Sequence, residues 1–275
     1  MRILEGIKVI DVTAWAFVPA AGGVMAHWGA DVIKVESPGG PDPMRLMGGS
    51  LEPGCSSAMF KHYSRGKRSI AIDLATPEGQ ALLYKLVADA DVFLTSYLAP
   101  TRRKLKIDVD DIRKVNPNII YARGSGQGPK GPDADRPGYD QLSWWNRGSL
   151  AQTAMDLSGE AWPTAMVGHG DGMAGLAFAG GICAALLHRE RTGEATVVDA
   201  SLMGSAVWFN GSPACTSTCL STVDGRVWFM PESSTRSIVT CCPSVTSSVT
   251  SVLFSSVASF CCLTSTVTWS KPWLR

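Results

Sequence analysis

The 275-residue chain is short of charge and histidine: 18% of residues are charged, the formal net charge is +1, and there are 4 histidines. A balance this close to zero sets up no field for nucleic acid or an anionic membrane. The histidines (His27, His62, His169, His188) show no metal-ligand spacing, and no metal site is expected. The first strand is not followed by G-x-G-x-x-G, and neither a P-loop nor a G-x-S-x-G elbow is present. Those gaps weaken a dinucleotide site and exclude a P-loop NTPase and the α/β-hydrolase arrangement. The N-terminus, MRILEGIKVIDV, lacks a long apolar region and a small-residue cleavage site, so a cytoplasmic location is expected. Up to residue 212 the only cysteines are Cys55 and Cys183, too few for a disulfide framework.

What is present alternates between strand and helix patterns. Lys8–Val12 and Asp31–Glu36 read as strands around a small-residue helix over Pro19–Trp28, a βαβ unit. Ser69–Leu74 reads as a strand. Thr76 then caps a helix with Pro77 at its first position and an apolar stripe of Leu82, Leu83, Leu86 and Val87. Val92–Tyr97 (strand), Val109–Val115 (helix) and Asn118–Ala122 (strand) continue the series. Gly124–Gly138 is rich in glycine and proline and reads as a loop, followed by a helix from about Tyr139 and a longer one over Gly172–Arg191. Ala195–Leu202 fits strand or helix equally. The expected fold is α/β: an open parallel sheet covered on both faces, with ligands at the carboxyl ends of the strands.

From Pro213 the composition changes. Residues 213–275 hold 24 Ser and Thr and six of the eight cysteines, with no charge between Ser237 and Ser270. A transmembrane segment fits poorly with that Ser/Thr density and Pro243. Adjacent Cys-Cys pairs are not zinc spacing. The expected division is residues 1–212 as the main domain with the start of a second, smaller one, and 213–275 as an atypical, disordered or frameshift-derived tail.

Two basic clusters, Arg65/Lys67/Arg68 and Arg102/Arg103/Lys104/Lys106, adjoin strands and suit a ligand with several phosphates. Carboxylates of the middle third are Asp140, Asp156, Glu160 and Asp171, with Asp156 and Glu160 expected in a loop and Asp171 set in Gly-His-Gly-Asp-Gly.

These segments together resemble the class III (CaiB/BaiF-type) CoA-transferase family, which also includes α-methylacyl-CoA racemases. The resemblance is carried by Leu4–Asp11, Gly29–Glu36, Arg65–Ser69, Ala90–Val92, Asn116–Pro117, Gly124–Pro129, Pro137–Asp140, Gly170–Asp171, Arg191–Glu194 and Val198–Leu202, in order over residues 1 to about 210. It implies a Rossmann-like large domain with a smaller second one, coenzyme A as the substrate thioester, a carboxylic acid acceptor, an interlocked homodimer, and acyl transfer through a carboxylate-bound covalent intermediate. By position it implies that Trp15, Ala16, Lys34, Ser37, Ser96, Tyr97, Lys104, Arg123 and Gly124 bind CoA, and Arg65 and Lys67 of the first basic cluster are expected to join them. It puts the catalytic aspartate between Thr153 and Pro163, as Asp156 or Glu160, with Asp171 matching the racemase aspartate. The racemase histidine is replaced by Tyr139, a poor base at neutral pH. Ser64 and Ser96 stand where the family usually has Asn. The remaining alternatives are a CoA-binding remnant without turnover and, less favoured, a racemase.

Overall fold

The computed structural model describes residues 2–47, 56–159, 161, 166–220, 227–229 and 237–239. They fall in two compact units, residues 1–208 and 209–275.

The first unit is built on six parallel strands: β1 (Lys8–Val12), β2 (Asp31–Glu36), β3 (Arg68–Ala71), β4 (Val92–Thr95), β5 (Ile120–Ser125) and β6 (Val197–Ser201), in the order β3-β2-β1-β4-β5-β6. That is the doubly wound order whose direction reverses between β1 and β4, opening a crevice at the strands' carboxyl ends. The helices are α1 (Phe17–His27), α2 (Ala58–Ser64), α3 (Pro77–Ala88), α4 (Ala99–Leu105), α5 (Val109–Val115), α6 (Leu150–Ser158), α7 (His169–Thr192) and α8 (Leu202–Leu220). A 3₁₀ turn spans Pro43–Arg45, and a π-helical segment spans Asp140–Asn146.

Alternation along the strands sorts two cores. Val9, Val32, Val92, Leu94, Ile120 and Ala122 face α1 and α7, while Ile10, Val35, Phe93 and Tyr121 face α3 and α5. Each fully buried aliphatic side chain contributes about 1.5–3 kcal/mol, so a sheet covered on both faces is held without staples. Helix α7 is long and apolar enough to cross a membrane, but Ala174, Phe178, Ala179 and Ile182 are buried against the sheet and α1.

Several boundaries differ from the sequence pattern. In α3, Thr76 accepts from the Gly79 amide as a cap should, and Leu83 and Val87 are buried, but Leu82 lies on the open face. Residues 195–202 resolve into both readings: β6 ends at Ser201, whose hydroxyl accepts from the Gly204 amide as α8 begins. The expected loop around Asp156 is instead α6, stopped by Gly159 at φ 70°, the left-handed conformation glycine takes at a helix end. Residues 209–275 include the end of α8, which crosses the change in composition at 213, and an antiparallel pair, β7 (Val227–Phe229) and β8 (Ser237–Val239).

Candidate active site

The crevice between β1 and β4 is lined by the loop that follows each strand. After β1 the chain runs through Thr13–Ala16; after β4 it runs through Ser96 and Tyr97. The Ser96 hydroxyl accepts from the Ala14 amide at 2.9 Å, tying the loops together. Trp15 holds φ at 71°, a conformation that costs a non-glycine residue about 1–3 kcal/mol. Its amide donates to Asp42 Oδ1 at 3.0 Å, which supports the strained turn from beneath.

Asp42 belongs to a buried charge cluster. The Lys34 ammonium lies 2.9 Å from Asp42 Oδ2 and donates to the Thr13 carbonyl at 2.9 Å. Burial disfavours its charge, but Asp11 and then Asp42 outweigh this and raise the Lys34 pKa. Lys67 donates to Asp11 Oδ2 and to the Pro19 carbonyl, each at 2.7 Å. There burial dominates and the pKa falls, with Asp11 opposing the shift. Gly22 and Gly23 make room for this: a Cβ on Gly22 would meet the Lys67–Asp11 pair, and one on Gly23 the Tyr63 carbonyl. The glycine pair is thus a packing device on α1.

The first basic cluster is therefore dispersed. Lys67 is turned inward and is not presented to a phosphate. Arg65 donates to His27, and Arg68 makes a two-pronged pair with Asp31. Lys34 is equally buried. The Ser37 hydroxyl accepts from the nearby Gly39 amide, and Ala16 is buried in the core under the loop.

The second cluster opens onto space. A cavity of about 230 Å³ lies at the carboxyl ends of β4, β5 and β6, with Arg102, Arg103, Arg123 and Gly124 in its wall. Arg102 is committed to Asp108 and to the Tyr97 carbonyl at 2.7 Å, and Arg123 pairs with Asp199. Lys104 is exposed on α4. The structure thus gathers Trp15, Ser96 and Tyr97 at the crevice and Arg123 and Gly124 at the adjoining cavity.

A second constellation sits at the N-terminus of α7. Asp140, at the head of the π-helical segment, accepts from the Gly168 amide at 2.9 Å and the Asp171 amide at 3.2 Å. A carboxylate there satisfies orphan amides and meets the positive end of the helix dipole. Gly170 leaves room for it, since a Cβ would strike Asp140 and Trp144. Burial raises the Asp140 pKa against those amide bonds. Asp171 stands in the same first turn. Burial and then the negative charge of Asp140 push its carboxyl up to about 7. Tyr63 donates to the Gly168 carbonyl at 3.0 Å, and burial, Asp171 and Asp140 raise its hydroxyl to about 12.

Asp156 does not join this group. It is exposed on α6, where Gln152 of the same helix donates to it at 2.8 Å. Glu160 lies outside the described residues. Tyr63, Asp42 and a role for Asp140 have no local signal in the sequence, because their partners are distant in it: Asp140 and Gly168 are 28 residues apart, Tyr63 and Gly168 105. Trp144 is buried in the core. Among the described residues no group of three or more His, Cys, Asp or Glu is placed to hold a metal ion.

Comparison with known proteins adds four findings. The family model described as CoA-transferase family III matches residues 4–236. The chain is 34% identical over 213 residues to the (R)-2-hydroxy-4-methylpentanoate CoA-transferase of Clostridioides difficile, covering 76% of this chain and 53% of that protein. It is 37% identical over 205 residues to the succinate–glutarate CoA-transferase of Agrobacterium fabrum, covering 73% of this chain and 51% of that protein. The crystal structure of a CAIB/BAIF family protein from Brucella suis superposes with a TM-score of 0.71 at 33% identity, over 80% of this chain and 58% of that one. The chain thus spans about half the length of the curated relatives it matches.

Proposed function

This chain belongs to CoA-transferase family III, and from that premise we propose that it carries the CoA-binding crevice and the nucleophile of an acyl-CoA:carboxylate CoA-transferase, the nucleophile being Asp171. The observation that carries this is the placing of Asp171 in the first turn of α7, partly buried beside Asp140, with a carboxyl pKa of about 7. A carboxylate of raised basicity is a better nucleophile than an ordinary aspartate, provided the pH keeps it ionised. Exposed Asp156, whose described bond runs along its own helix, has no such setting.

In the proposed reaction an Asp171 oxygen attacks the thioester carbonyl. The C–S bond breaks, CoA leaves as a thiolate, and a mixed anhydride remains. The thiolate then attacks the Asp171 carbonyl carbon, releasing the first carboxylic acid and leaving an aspartyl-CoA thioester. The acceptor carboxylate attacks that thioester and displaces CoA thiolate, giving a new anhydride. The thiolate finally takes the new acyl group and frees Asp171. Dividing one difficult exchange into such steps is the gain of covalent catalysis. Asp140 holds the turn in place through the Gly168 and Asp171 amides. The crevice loops with Trp15, Ser96 and Tyr97 receive the CoA chain, and Arg103 and Arg123 suit its phosphates. Serine at position 96 offers one hydroxyl where Asn would offer a paired donor and acceptor, which lowers the expected CoA affinity.

The test is chemical trapping. After incubation with an acyl-CoA, hydroxylamine converts an aspartyl-CoA thioester to a hydroxamate. Peptide mapping is expected to find it on the peptide containing Asp171; a hydroxamate on the Asp156 peptide contradicts the assignment. The relatives' names span a branched hydroxyacyl group and dicarboxylates, so the acyl group has to be read from this chain's own residues.

A further inference from the structure

We infer that Trp15 and Tyr139 form an aromatic acyl clamp in this chain, selecting acyl groups that are flat or apolar and uncharged at their far end over dicarboxylic ones. This rests on the CoA-transferase reading above and names the acyl class for that site. Three independent observations carry it.

The first is the pair itself. The rings lie 5.2 Å apart between centroids and 76° between planes, an edge-to-face arrangement that leaves ring surface free for a third flat group. Both rings are open, at 38% for Trp15 and 49% for Tyr139, although aromatic side chains of this size are usually well covered. Trp15 projects from the crevice loop. Tyr139 immediately precedes Asp140, which binds the turn holding Asp171. The clamp therefore bridges the CoA crevice and the nucleophile, where an acyl group has to lie.

The second is that the clamp is held open by structure beneath it. Trp15 keeps its left-handed backbone through its amide bond to Asp42, which Lys34 in turn neutralises. Tyr139 is fixed by its carbonyl, which accepts from the Ser143 amide at 2.8 Å. Ring positions set in this way act as a subsite with little to be ordered on binding.

The third is the sign of the surrounding charge. The charge acting on Asp171 is that of Asp140, and Tyr63 feels both carboxylates. Lys34, Lys67 and Arg65 are engaged with Asp42, Asp11 and His27 in turn. A second carboxylate on the acyl group would meet the like charge of Asp140 and Asp171, whereas a phenyl or branched alkyl group meets ring faces.

The experiment is equilibrium binding of the full chain by titration calorimetry with four probes: free CoA, phenylacetyl-CoA, isovaleryl-CoA and succinyl-CoA. Phenylacetyl-CoA is expected to bind about tenfold more tightly than free CoA, isovaleryl-CoA to fall between, and succinyl-CoA to gain nothing. In Trp15→Ala and Tyr139→Ala the phenylacetyl-to-CoA affinity ratio is expected to fall close to one, while Tyr139→Phe, which keeps the ring, retains it. If Trp15→Ala does not fold, the two Tyr139 variants alone decide. Succinyl-CoA binding as tightly as phenylacetyl-CoA overturns the clamp, as does a ratio that survives both alanine variants; in either case binding of free CoA leaves the transferase reading standing. Binding of none of the four probes overturns the transferase reading and the clamp with it.

Discussion

A carboxylate with its pKa pushed to about 7 is a cost that the folded protein carries. Asp171 binds its proton more tightly in the native state than in the unfolded chain, so stability is full below the unfolded value near 4 and falls as pH rises towards 7. Replacing it with a neutral isostere removes that loss. Asp171→Asn is expected to match the wild type at pH 4 and to be more stable at pH 8, by on the order of 1–4 kcal/mol. Urea denaturation at both pH values checks this, and equal curves at pH 8 would show that Asp171 is not held in the setting described. The same raised value predicts that acylation by an acyl-CoA speeds up as pH rises through about 7, followed by single-turnover kinetics. Lys67→Met removes the ammonium paired with buried Asp11 and is expected to cost about 3–5 kcal/mol by the same denaturation assay.

At the scale of elements, much of the sheet could be read in advance, for a definite reason. β1 and β2 stand out as short apolar runs, KVIDV and DVIKVE, and α3 announces itself with Thr76, Pro77 and the stripe ending in Val87. Such signals are local, and local signals survive folding. Helix α6 had one too, in Gly159 after a helical stretch, but the surrounding residues favoured a loop reading and Asp156 was misplaced with it. The nucleophile's setting had none. That Asp140 caps α7 follows from a tertiary meeting of the π-helical segment with a helix start far along the chain, and no period records it. The close approach at Gly170 gives a prediction for this element. Gly170→Ala drives a methyl into Trp144 and Asp140, so the turn has to move. A drop in thermal stability together with loss of acylation is expected, with acylation lost even at temperatures where circular dichroism shows the fold intact.

For the whole molecule, the family match runs to residue 236, past the change in composition at 213, while relatives continue for about as long again. The first unit shows apolar side chains in the open on α7 and α8, with Leu176 and Leu187 about half exposed and Trp208 71% exposed. Surface of this kind tends to be covered by a partner or to drive association. Sedimentation is expected to show concentration-dependent association of the chain, weakened by Leu187→Glu.

The central claim is that acyl transfer passes through Asp171. Intact-protein mass spectrometry after incubation with acyl-CoA esters tests it most directly, in the wild type, Asp171→Ala and Asp156→Ala. An acyl or CoA adduct is expected in the wild type and in Asp156→Ala, and none in Asp171→Ala. An adduct that persists in Asp171→Ala and disappears in Asp156→Ala would contradict the account and move the chemistry to α6.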